Sequence, residues 1–234
     1  MMTKPLCIVI GVGPGNGASF ARRFSRDAHH VAILARNATY LDSLAKSIPN
    51  CDAFPCDVRE PEELRKTLTE VADRLGPASI MIYNAGAGEW HPPEETTLEG
   101  FESSWRTNAL GLLVSAQAMF QDMSAQGRGN IVVIGATASI RGGATSTAFA
   151  SAKAAQRSLA QSLARRFSPK GIHVSHIIID GIIDLPRTRE KRPDAPDEFY
   201  LQPDDIADTV ATITQQPRSA WTFEVDLRPY TENW

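Results

Sequence analysis

The sequence predicts an α/β fold of the doubly wound, three-layer kind, built on a mostly parallel seven-stranded sheet. Three observations carry this. Apolar runs of strand length alternate with helix-like stretches along the whole chain, the rhythm of strand–helix–strand units. The runs are nearly continuous in hydrophobic residues, as strands covered by helices on both faces require. The 234 residues fit one domain, 1–234, with no linker or repeat to divide it.

Each element follows from its residues. Leu6–Ile10 is an apolar strand that stops at Gly11, and Asn16–Asp27 follows as a helix with Phe20 and Phe24 four apart on one face. Val31–Leu34 is a second strand, then Ala38–Ser47 a helix. Ala53–Phe54 is a short third strand, and Pro61–Leu75 opens with proline and two glutamates, a helix start. Ile80–Tyr83 is the fourth strand, and Leu98–Met123 carries one long helical pattern. Ile131–Ile134, helix Ala148–Phe167, Val174–Ile179, helix Asp204–Thr214 and strand Trp221–Asp226 complete the series. The least regular stretch, Arg187–Tyr200 within a segment near 185–202, reads either as a solvated loop or as a lid over a ligand.

Composition narrows the partners. Hydrophobic residues are 42% and charged residues 22%, an ordinary globular balance. The net charge of −3 offers no footprint for nucleic acid. No run approaches the length of a membrane span, and the apolar run near the start is too short for a signal peptide. The three cysteines, Cys7, Cys51 and Cys56, lack paired spacing and read as reduced thiols. The expectation is a cytoplasmic protein that binds neither nucleic acid nor membrane. The five histidines form no metal constellation; His173 and His176 fall on opposite faces of a strand, so the metal expectation is none.

Between the first strand and first helix lies Gly11-Val12-Gly13-Pro14-Gly15-Asn16-Gly17. Glycines there permit a tight turn and let backbone N–H groups approach a pyrophosphate at a helix N-terminus. Four glycines in seven residues exceed what a connecting turn needs. At the end of the second strand, where an acidic residue usually holds the adenosine ribose, stands Arg36. A guanidinium suits a 2′-phosphate, which favours NADP(H) over NAD(H) as cofactor; the alternative is a surface arginine at a strand end.

These motifs together resemble the short-chain dehydrogenases/reductases, a Rossmann-fold family, over essentially the whole chain. Gly11-x3-Gly15-x-Gly17 matches that family's glycine motif, Asp57-Val58 its adenine-contacting pair, and Asn84-Ala85-Gly86 its signature after the fourth strand. Asn108 matches the helix asparagine that holds a water of the proton relay, and Lys153 the active-site lysine. The resemblance implies that Gly11, Gly13, Gly15, Asn16, Gly17, Arg36, Asp57, Val58, Asn84, Ala85, Gly86, Lys153, Asp180, Gly181 and Ile183 bind the dinucleotide. It also implies a homodimer or homotetramer through the two long helices, near Leu98–Met123 and Ala148–Phe167.

The catalytic half departs from the pattern. The family's proton donor is a tyrosine four residues before the lysine, and a serine thirteen residues earlier holds the substrate oxygen. Here those positions are Phe149 and Ala136. The chain has four tyrosines, Tyr40, Tyr83, Tyr200 and Tyr230, and none falls there. The family's Pro-Gly after the sixth strand reads Asp180-Gly181, and its nearby threonine reads Leu185. Thr137, Ser139, Asp180, His91 and Tyr200 are alternative sources of a proton, each also readable as an ordinary loop residue, while Tyr83 reads first as packing. Two functions remain open. One is an NADP(H)-dependent oxidoreductase with a non-standard site, suited to conjugated C=C bonds or activated carbonyls. The other is a catalytically silent NADP(H)-binding protein acting as sensor, scaffold or partner subunit.

Overall fold

The computed structural model describes residues 4–232. Strand β1 (Leu6–Ile10) leads into helix α1 (Asn16–Arg26), followed by β2 (His30–Ala35), α2 (Ala38–Ser47), β3 (Cys51–Pro55), α3 (Pro61–Leu75) and β4 (Ala78–Tyr83). The second half comprises α4 (Leu98–Trp105), α5 (Gly111–Gln126), β5 (Gly129–Ile134), α6 (Thr147–Phe167) and β6 (Ile172–Ile179). A small excursion of β7 (Ile182–Ile183), α7 (Pro186–Lys191) and β8 (Tyr200–Leu201) precedes α8 (Pro203–Thr214) and β9 (Glu224–Leu227).

Seven strands form one sheet in the order β3-β2-β1-β4-β5-β6-β9, every pairing parallel. The alternation of side chains along each strand feeds two cores. On one face Leu64 and Leu68 of α3, Leu112 and Met119 of α5 and Leu163 of α6 are buried together. On the other, Phe20 and Phe24 of α1, Leu41 of α2 and Ile206 and Val210 of α8 pack. This is the three-layer, doubly wound arrangement that the sequence predicts.

Three elements differ from the sequence reading. The helical pattern over Leu98–Met123 is not one helix: a π-helical turn, Arg106–Leu110, separates α4 from α5. Its cause is local. The Asn108 side-chain amide donates to the Ser104 carbonyl at 2.8 Å, and the Thr107 hydroxyl donates to the Ser103 carbonyl at 2.9 Å. Side-chain donors at those carbonyls open the backbone ladder by one residue. The third strand is longer than Ala53–Phe54, because an edge strand pairs through its backbone without a long apolar run. The last strand begins at Glu224 rather than Trp221, whose ring instead stacks on His173 with centroids 4.8 Å apart.

The segment near 185–202 is tied down rather than irregular. Arg189 makes a two-pronged ion pair with Asp184 at 2.7 and 2.8 Å and reaches Asp197 at 2.7 Å. The Tyr200 hydroxyl donates to the Arg192 carbonyl at 3.0 Å. Among the described residues, no helix is long and apolar enough to cross a membrane.

Candidate active site

Parallel strands deliver their C-terminal ends to one edge of the sheet, and the crevice there opens where strand order reverses, between β1 and β4. The glycine-rich turn leaves β1 at this edge. Gly11 has φ +89° and lies hard against the Ala85 backbone, so both conformation and space exclude a side chain. Asn84 ties the two strands across the reversal. Its backbone N–H donates to the Ile10 carbonyl at 2.8 Å, and its side-chain amide to the Gly11 carbonyl at 2.7 Å. Helix α1 then begins with no side-chain cap and no acidic residue in its first turn, leaving its N-terminal dipole uncompensated. Asn16 is buried and its Oδ1 has no partner. Nothing crowds Gly13, whereas the Leu185 side chain lies against Gly15. Gly17 packs onto the Val12 backbone.

Arg36 is exposed directly after β2, and Asp57 follows β3 on the same edge. Arg59 donates to both Asp57 oxygens, at 3.1 and 2.6 Å. That pairing, with a smaller contribution from Arg36, holds the Asp57 carboxyl below the usual carboxylate range. Val58 is buried beside Gly111.

The other end of the crevice is a buried polar cluster. Lys153, on α6, is only 4% exposed. Its ammonium donates to the Ile134 carbonyl at 2.9 Å and to Gln156 Oε1 at 3.0 Å. Gln156 in turn donates to the Asn108 carbonyl at 3.0 Å, joining α6 to the π turn. The Asn108 amide donates to the Ala87 carbonyl at 2.6 Å, while its buried Oδ1 has no partner. Gly86 makes room for this cluster, since a Cβ there would lie 3.3 Å from Lys153 Nζ and 3.5 Å from Asn108 Oδ1. Burial without a neighbouring carboxylate lowers the lysine to about 7.

Phe149 sits one turn before Lys153, half-buried, its ring tilted against Trp90 with centroids 4.7 Å apart. Lys153 Nζ lies 5.9 Å from the Phe149 centroid. Ala136 caps the loop after β5, its N–H donating to the Ser139 hydroxyl oxygen at 3.1 Å. The Thr137 hydroxyl donates to Asp180 at 2.5 Å, and Arg228 stands 3.3 Å from the same carboxylate. Gly181 and Ile183 follow on that strand end, with Gly181 against Pro229 and Ile183 paired to Leu201. His91 is exposed between Glu89 and Glu95. The hydroxyls of Tyr83 and Tyr200 both donate to backbone carbonyls, those of Thr107 and Arg192.

The sequence residues therefore gather along one edge in two groups, Arg36 and Asp57 at one end and Asn108, Lys153 and Gly86 at the other. Sequence reasoning missed Gln156 and Trp90. For Gln156 a signal existed: it is a polar residue at i+3 from Lys153, on the same helix face. For Trp90 there was none, because its partner lies far along the chain.

A family model described as short chain dehydrogenase matches residues 6–196. The chain belongs to that family. An uncharacterized oxidoreductase of Staphylococcus haemolyticus is 27% identical over 226 residues, covering 96% of both chains. The crystal structure of a short-chain dehydrogenase from Rhodopseudomonas palustris is 35% identical, with a TM-score of 0.84 over 97% of this chain and 99% of that one. An alcohol dehydrogenase from Thermococcus sibiricus, complexed with 5-hydroxy-NADP, shares the fold at 23% identity, with a TM-score of 0.88 over 98% of each chain. Where the resemblance leads one to expect a tyrosine hydroxyl, this short-chain dehydrogenase places the Phe149 ring against Trp90.

The buried lysine makes a stability prediction with a definite sign. Its folded value lies below its unfolded one, so at low pH the fold must hold a charge it disfavours. That cost is full below about pH 7 and fades as pH rises toward the ordinary lysine range near 10.5. Lys153→Met is expected to stabilise the apo protein at pH 6 by about 1–3 kcal/mol, with the gain shrinking by pH 9. Thermal unfolding at the two pH values checks this; a loss of stability at pH 6 would contradict it.

Proposed function

We propose that this chain is an NADP(H)-dependent oxidoreductase in which Lys153 itself is the proton donor. One observation carries the reading: the lysine is buried without a carboxylate, poised near neutrality, beside a partnerless Asn108 oxygen and an aromatic wall. Support for the cofactor comes from the uncapped start of α1, the partnerless Asn16 oxygen and the exposed Arg36. The 5-hydroxy-NADP complex of the Thermococcus sibiricus alcohol dehydrogenase, which shares the fold, supports it too. In this reading the glycine-rich turn and Asn16 receive the pyrophosphate, Arg36 the 2′-phosphate, and Asp57 and Val58 the adenine side. Asn84, Ala85, Gly86 and Lys153 line the ribose side, and Asp180, Gly181 and Ile183 border the nicotinamide side.

The bound cofactor supplies a hydride. What the chain supplies is a proton and its exclusion from water. The Lys153 ammonium gives one proton to the substrate oxygen, or to the enolate of a conjugated C=C bond, and is left as a neutral amine to be reprotonated from solvent. Burial of Lys153, with the Phe149 ring beside it, strengthens the interaction of the ammonium with developing negative charge. The Thr137 and Tyr200 hydroxyls donate elsewhere, the Ser139 oxygen accepts the Ala136 N–H, and Phe149 has no proton to give. Activated carbonyls, quinones and enones are the substrate class, since they need the least acid help.

NADPH fluorescence and NADPH consumption over such a panel test this. Binding with consumption that falls as pH rises through about 7 is expected; binding with no consumption at any pH leaves the silent-protein reading, which Phe149 and Ala136 favour. Arg36→Ala is expected to weaken NADPH about tenfold while leaving NADH nearly unchanged. Equal losses would remove Arg36 from the 2′-phosphate. The pair Ala136→Ser with Phe149→Tyr is expected to add reduction of simple ketones, and a double variant that binds NADPH yet stays inert on ketones would show that the pocket does not seat a carbonyl.

The three unpaired cysteines fit a reducing compartment, and we place the protein in the cytoplasm. Exposed Leu98, Phe101 and Trp105 on α4 support pairing with a second copy through this side of the molecule. Light scattering is expected to give a dimer or tetramer mass; a monomer at micromolar concentration would overturn that.

A further inference from the structure

Lys153, Gln156 and Arg157 occupy positions i, i+3 and i+4 of α6, one face of the helix. The first two belong to the cluster described above. Arg157 instead forms a two-pronged ion pair with Glu224 of β9, at 2.6 and 2.7 Å. Glu224 also accepts from His176 Nδ1, at 3.0 Å. His176, on β6, is fully buried, and its Nε2 has no hydrogen-bond partner.

The direction of that nitrogen matters. It lies against Gly135, where a side chain would strike the Nε2 edge of the ring. Gly135 joins Ile134, whose carbonyl receives the Lys153 ammonium, to Ala136. A carboxylate at Nδ1 keeps the proton on that nitrogen, so Nε2 presents a bare lone pair toward Gly135, the residue after the carbonyl that holds the lysine. Burial keeps the ring neutral, lowering it to about 4. The charged groups facing His176 are Glu224 from β9 and Lys153 and Arg157 from α6. An ion pair stapling β9 to α6 accounts for Arg157 and Glu224. It does not account for a buried imidazole with an unmet acceptor, which costs about 1–3 kcal/mol where an apolar residue would cost nothing.

We propose that His176, tethered by Glu224 and braced by Arg157, is a positioning residue for Lys153: it fixes an acceptor edge behind the Ile134–Gly135 backbone and so sets how firmly the lysine holds its proton. The inference rests on the reading of Lys153 as proton donor, but its sign follows from charge alone. Removing the Glu224 charge frees the histidine tautomer and withdraws negative potential, so the lysine gives up its proton more easily. Removing the Arg157 charge does the opposite.

The test is a titration of the apo protein labelled with ¹³Cε-lysine and followed by NMR, the Lys153 signal assigned by its loss in Lys153→Met. Glu224→Gln is expected to lower the Lys153 midpoint by about one pH unit, and Arg157→Gln to raise it by a smaller amount. In a His176→Leu background, the Glu224→Gln shift is expected to shrink by at least about half. Midpoints that do not move, that move the same way in both single variants as general loosening would cause, or a Glu224→Gln shift that keeps its full size in the His176→Leu background, overturn the proposal. Should Glu224→Gln not fold, the Arg157→Gln shift measured with and without His176→Leu decides, and a shift of unchanged size overturns the proposal. The readout needs no cofactor and no substrate. A Glu224→Gln shift that shrinks without His176, in a protein that never consumes NADPH, would keep the histidine's role and remove the donor reading; consumption with an unmoved lysine would do the reverse.

Discussion

A lysine ammonium buried without a carboxylate beside it must find oxygen atoms for its protons, and much of the local structure serves that need. Two of the donors go to the Ile134 carbonyl and to Gln156. Gln156 can offer its oxygen because its own amide is satisfied by the Asn108 carbonyl. Asn108 is in place because the helix between Leu98 and Gln126 widens into a π turn around it. The widening is held by Tyr83, whose hydroxyl donates to the Thr107 carbonyl at 2.6 Å from the next layer of the core. The tyrosine that reads first as packing is thus also the strut of the turn. A chain of hydrogen bonds runs from strand β4 through the π turn to the lysine, and each link is buried.

How far this was legible in the sequence depends on the range of the interactions. The sheet and its helices were legible because burial on both faces leaves continuous apolar runs, a local signature. The glycine-rich turn was legible because its residues are contiguous. The π turn was not, since it displaces the apolar pattern of Leu98–Met123 by a single residue, less than the width of a helical stripe. Nor was the partnership of Arg157 with Glu224, 67 residues apart, or of His176 with Glu224, 48 apart. Reading along the chain, Glu224 is one acid in a strand; only the β6–β9 pairing, with His176 in register with Glu224, brings it under α6.

Phe149, standing where the resemblance leads one to expect a tyrosine, changes what surrounds the ammonium more than what fills the space. The ring volume is kept, and Trp90 leans on it. The hydroxyl that would have shared a proton with Lys153 is gone, and a ring face 5.9 Å away offers only the weak attraction of its quadrupole. Deprived of an anionic or phenolic partner, the lysine is governed by burial, which favours its neutral form.

The opposite wall of the crevice holds its loop hydroxyls in hydrogen bonds of their own. Where the resemblance leads one to expect proline, Asp180 accepts a hydrogen bond from Thr137 and faces Arg228. These contacts make Asp180 an anchor that ties the end of β6 to the loop after β5. Thr137 commits its only hydroxyl proton to that anchor, and the Ser139 oxygen is occupied by the Ala136 N–H, where it holds the tight turn. Tyr200, the one tyrosine in the segment beyond β6, is locked to the Arg192 carbonyl under the Arg189 guanidinium. Moving any of these into the crevice would break a bond that shapes its rim. Lys153, by contrast, combines a titratable proton, a place between Gly86 and Asn108, and hydrogen bonds that survive whether it is charged or neutral, since an amine still donates to Ile134 and Gln156.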